Sequence, residues 1–109
     1  MAYDEQLAER IRDVIEGEPL TEKRMFGGLG FMVDGNMAVA ASGQGGILVR
    51  IDPDDAESLT QDPHVRRMEM RGREMNGWLR VDPPALATDD ELRRWVDTGL
   101  AYARSRPPK

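Results

Sequence analysis

The chain has 109 residues, no cysteine and a formal net charge of −5. That length suits one domain around one core, and the absence of thiols excludes disulfides, thiolate catalysis and cysteine-ligated metal. The acidic balance weighs against tight, sequence-independent binding to nucleic acid, which depends on neutralising phosphates. No stretch approaches the ~20 apolar residues that a membrane-spanning helix needs.

The N-terminal segment is acidic and lacks the basic and apolar regions of a secretory leader, so a cytoplasmic location is expected. Tyr3 to Glu16 reads as a helix, with Leu7, Ile11, Val14 and Ile15 on one stripe. Gly17 and Pro19 close it. Arg24 to Val33 reads as one strand, with Leu29, Phe31 and Val33 on one face. Asp34-Gly35, between two apolar runs, predicts a type I′ hairpin turn into Met37–Ala41. After the glycine-rich loop at residues 42–46, Ile47, Val49 and Ile51 alternate with Leu48 and Arg50 and predict a third strand.

Asp52-Pro53 opens a short helix that ends near Leu59 or Thr60. Val65–Met70 and Met75–Val81 are the next two strands, with Arg71-Gly72-Arg73 as the turn between them. Asp82-Pro83-Pro84 ends the second of these. Thr88 with Glu91 forms a capping box for a last helix, whose apolar face is Leu92, Trp95, Val96, Leu100 and Ala103. Residues 106–109 are expected to fray. The order is α-β-β-β-α-β-β-α, a single α+β domain over 1–109. Its architecture is expected to be two-layer, with an antiparallel five-stranded sheet and helices on one face.

Candidate chemistry is sparse. Gly27-Gly28-Leu29-Gly30 begins a G-x-G pattern, but Val33 stands where a third glycine belongs, and the following residues read as strand rather than helix. A bulged strand or a close backbone approach is the favoured reading. Gly43-Gln44-Gly45-Gly46 reads as a flexible hairpin loop rather than a ligand loop. His64 is the only histidine, and Asp52, Asp54, Asp55 and Glu57 lack the glycine and terminal glutamate of a calcium loop. No metal and no cofactor are expected. Ser42, Ser58 and Ser105 lie in no nucleophile motif, so no catalytic residue is assigned.

The strongest functional candidate is cationic. Arg66, Arg67, Arg71 and Arg73 interleave with Met68 and Met70. On a continuous strand, Arg67, Glu69, Arg71 and Arg73 would share one face. Arginine beside methionine suits an adaptable surface for a protein partner or an anion, whereas the plainer reading is a charged, solvated edge strand. Phe26, Phe31, Trp78 and Trp95 are expected in the core.

The stretch from Lys23 to Met37, containing Met25-Phe26-Gly27-Gly28 and the turn glycine Gly35, resembles the TfoX N-terminal domain family. Gly46–Asp52, Gly77–Pro83 and the helix around Trp95 follow in the order of that family. The resemblance implies the same α-β-β-β-α-β-β-α fold, and a mainly structural role for Met25, Phe26, Gly27, Gly28 and Gly35. It also implies kinship with bacterial competence regulators, which help switch on DNA-uptake genes and carry a second, helical domain. Residues and resemblance together suggest a non-enzymatic interaction or regulatory domain that binds a protein partner or itself. The alternatives are a transcription-linked regulator with weak DNA contact, and a small-ligand or enzymatic domain using the glycine loops.

Overall fold

A computed structural model describes residues 5–17, 20–25, 27–43, 45–70 and 72–107. Helix α1 spans Glu5–Val14 and buries Leu7, Ala8 and Ile11, with Ile15 buried just beyond its end. The expected start at Tyr3 lies outside the described residues. Gly17, at φ 87°, turns the chain away.

The expected Arg24–Val33 strand is in fact two strands, β1 (Thr21–Met25) and β2 (Gly28–Val33), paired antiparallel. Met25 lies opposite Gly28, so the chain reverses between them, with Gly27 at φ 74°. Only glycine takes that conformation freely. The double glycine is thus a hairpin reversal rather than a bulge within one strand. The expected close backbone approach is present: a side chain on Gly28 would strike the Ala41 carbonyl oxygen. Phe26 lies outside the described residues.

Asp34 (φ 50°) and Gly35 (φ 83°) form the expected turn into β3, Asn36–Ala41. Strand β4, Ile47–Arg50, follows. A 3₁₀ turn at Pro53–Asp55 is capped by Asp52, whose carboxylate accepts from the Asp54 N–H at 3.0 Å. It runs into α2, Ala56–Leu59. Strands β5 (Val65–Met70) and β6 (Arg73–Val81) form a hairpin, with Gly72 at φ 78° in its turn. After a 3₁₀ turn at Pro83–Leu86 comes α3, Asp89–Ser105. The Thr88 hydroxyl accepts from the Glu91 N–H at 3.1 Å, as the capping box predicts. Pro107, expected in the frayed tail, is held: its carbonyl accepts from the Asn36 amide at 2.9 Å.

Among the described residues the sheet has six strands rather than five, in the order β1-β2-β3-β4-β6-β5, with every neighbour antiparallel. The element order is therefore α-β-β-β-β-α-β-β-α. The extra strand is β1, which pairs with β2 across the Gly27 reversal instead of continuing into it.

Register explains the layering. One row crosses the whole sheet as Glu22, Phe31, Val39, Val49, Leu79 and Arg67. Its four inner members are fully buried and its edges are polar. Helix α3 covers this face over β2, β3 and β4, and α1 packs beside α3. Gly99 of α3 sits so close to β3 that a side chain there would meet the Ala38 carbonyl oxygen. The neighbouring row, on the opposite face, runs Lys23, Gly30, Ala40, Leu48, Arg80 and Arg66. Among the described residues, no helix is long and apolar enough to cross a membrane.

Candidate functional site

Two features outside the core place side chains where they can meet a partner. The first is β5. It forms one edge of the sheet and is bonded on one side to β6. Arg66 is exposed, lies across from Arg80 and reaches Asp82 at 3.5 Å. Arg67 is half-buried opposite Leu79, Met68 is half-buried opposite Met75, and Glu69 is exposed opposite Glu74. Arg73 is exposed opposite Met70.

The expected single face of Arg67, Glu69, Arg71 and Arg73 does not form. The hairpin reverses between Met70 and Arg73, so Arg73 belongs to β6. A turn at Gly72, which the sequence also suggested, is incompatible with one continuous strand through residue 73. Arg71 and the Met70 side chain lie outside the described residues. Arg66 and Arg67 point to opposite faces, because their partners Arg80 and Leu79 do.

The second feature is a cluster that the sequence reading did not identify. The β5–β6 register jumps from Arg67↔Leu79 to Met68↔Met75, so residues 76–78 have no partner in β5. That bulge turns instead toward β4. Trp78 pairs with Arg50, and the Ile51 N–H donates to the Gly77 carbonyl at 3.0 Å. The Arg50 guanidinium carbon lies 5.4 Å from the ring centroids of both Trp78 and Tyr102. Gly77 makes room for it, since an added Cβ would lie 3.2 Å from Arg50 Nη1. Arg106 stands 5.8 Å from the Tyr102 centroid on α3. Trp78, expected in the core, is half-buried here, whereas Trp95 and Phe31 are core residues as expected. The glycine before Trp78 and the lone cation in β4 were the available signals. Nothing local links Tyr102 to either.

The other cations are mostly engaged. Arg80 donates to the Ser42 hydroxyl at 3.0 Å. Burial, and then the nearby Arg66 charge, push its pKa down, with Asp82 opposing. Arg12 makes a two-pronged bond to Glu22, at 2.7 and 2.8 Å. That bond holds the Glu22 carboxyl below its usual pKa. Among the described residues, no group of three His, Asp or Glu side chains could hold a metal ion. His64 is exposed, and its backbone N–H donates to the Asp62 carboxylate at 2.8 Å.

Residues 12–103 match the family model of the TfoX N-terminal domain. Neither the curated proteins nor the solved structures include a significant match to the chain.

Proposed function

This chain belongs to the TfoX N-terminal domain family, and on that footing we propose that it is a non-catalytic interaction module. Its binding element is the edge strand β5, and its role is regulatory, in the manner of the competence regulators. The observation that carries this reading is the outer side of β5. That side has no strand against it among the described residues, the arrangement that strand addition uses; at its start the Val65 N–H is already bonded to the Asp62 carbonyl. Arginine and methionine along the strand supply adaptable side-chain contacts.

The charge distribution favours a protein partner over DNA. The chain is acidic overall, and Arg66 and Arg80 already contact Asp82 and Ser42. Phosphate contact needs cations free to displace counterions.

The test is photo-crosslinking in cells, with the crosslinking residue placed at position 66 on β5 or at position 93 on the exposed side of α3. A discrete crosslinked product from position 66, without one from position 93, is expected. No product from position 66, or the same products from both positions, removes the reading.

A further inference from the structure

We propose that the partner of β5 is β5 of a second copy of this chain. The two strands pair antiparallel about a two-fold axis at Met68, so that Arg67 of each copy faces the partner's Glu69. The inference rests on the interaction reading above and names its occupant.

Symmetry restricts the register. A two-fold axis that joins two copies of one edge strand into a continuous sheet stands perpendicular to that sheet. Residues brought opposite each other must then point to the same face, so the axis passes through a residue rather than between two. The four central residues of β5 are Arg66, Arg67, Met68 and Glu69. Centring on either arginine sets like cations against each other, and centring on Glu69 opposes two carboxylates. Only Met68 places an uncharged side chain on its own copy. That register puts opposite charges across the seam twice, because Arg67 and Glu69 flank Met68 and share a face.

The protomer's own contacts leave both charges to be met. Among the described residues, no ion pair engages Arg67 or Glu69. Within its hairpin, Glu69 lies directly across from Glu74, a like-charge cross-strand pair that destabilises the ribbon. The partner's Arg67 supplies the missing cation beside that pair. A lone charge on an edge strand discourages pairing. Two opposite charges placed symmetrically about an apolar residue discourage every symmetric register at the centre of β5 except one. Met68, half-buried and unbranched, can adapt to its copy.

Light scattering over a concentration series, on the full chain, tests this. The wild type is expected to show a monomer–dimer equilibrium. Arg67→Glu and Glu69→Arg, each alone, are expected to weaken the dimer by about tenfold or more, because each turns two attractive pairs into repulsive ones. An equal mixture of the two variants is expected to recover association, since Arg67→Glu then meets Glu69→Arg with opposite charges. Recovery also shows that both variants are folded. Arg93→Glu makes the same charge change on α3; it is expected to dimerise like the wild type, and its mixture with Glu69→Arg to associate no more than the Arg93→Glu protein does alone. A wild type that stays monomeric overturns the proposal, as does a dimer indifferent to both substitutions or a mixture that fails to recover. A monomer that still yields a position-66 crosslink to another protein overturns self-pairing alone and leaves the edge-strand reading standing.

Discussion

The guanidinium of Arg50 packs over the ring of Trp78, its cross-strand partner, with 5.4 Å between the guanidinium carbon and the ring centroid. Tyr102 holds the same cation at the same distance from α3, so strand β4, the β6 bulge and the last helix meet on one side chain. Such a contact contributes about 0.5–2 kcal/mol, depending on how far water is excluded. A double-mutant cycle with Arg50→Met and Trp78→Leu is expected to give a coupling of about 1 kcal/mol in denaturant unfolding. A coupling indistinguishable from zero would mean that the contact adds nothing beyond burial.

Gly99 poses a contest between two effects. Alanine is favoured over glycine within a helix by about 1 kcal/mol. Here, however, the new methyl group would run into the Ala38 carbonyl oxygen and lie 3.3 Å from Val49 Cγ1. Ala38 is the bulge residue of β3 and pairs with neither β2 nor β4, but its neighbours Met37 and Val39 are both paired to β2, which limits how far its carbonyl can shift. Gly99→Ala is therefore expected to destabilise by about 1–3 kcal/mol, the usual range for overpacking. Thermal unfolding of the variant reads the sign directly.

The adjacent glycines of the Met25–Gly28 block should separate in the same assay. Gly27 has open space around its Cβ position but a φ of 74°, so Gly27→Ala is expected to cost about 1 kcal/mol of backbone strain. Gly28 is blocked by the Ala41 carbonyl oxygen, so Gly28→Ala is expected to cost about 2 kcal/mol or more. Equal effects at the two positions would contradict the close approach of β2 to the end of β3.

The Arg12–Glu22 pair joins α1 to β1 and gives a pH signature. The Arg12 bond lowers the folded-state pKa of Glu22 relative to the ordinary value of 4.5. A depressed carboxyl pKa contributes stability that is present above the unfolded pKa and is lost as pH falls through the folded one. Both side chains are over a third exposed, so the contribution at neutral pH is below about 1 kcal/mol after solvent screening. Glu22→Gln is expected to be slightly less stable than the wild type at pH 7. The two should converge as pH is lowered well below 4.5. A gap that persists in acid would assign the effect to packing rather than charge.

Features decided within a few residues were readable from the sequence. The Asp34-Gly35 turn, the Asp52 and Thr88 caps, and the stripes of α1 and α3 depend on local backbone preference and on a 3.6-residue period. The residues of the edge strand were also readable, including the arginines and Glu69 on which the self-pairing register turns. Tertiary structure alone decided the rest. Gly27-Gly28 is compatible with a bulge or a reversal, because glycine favours neither. Only the pairing of β1 with β2 made it a hairpin and raised the sheet to six strands. The face taken by each arginine depended on the turn at Gly72 and on the three-residue bulge in β6. That same bulge brought Trp78 to Arg50, and the packing of α3 brought Tyr102. Contacts between residues far apart in sequence follow from register and helix position, which no local pattern encodes.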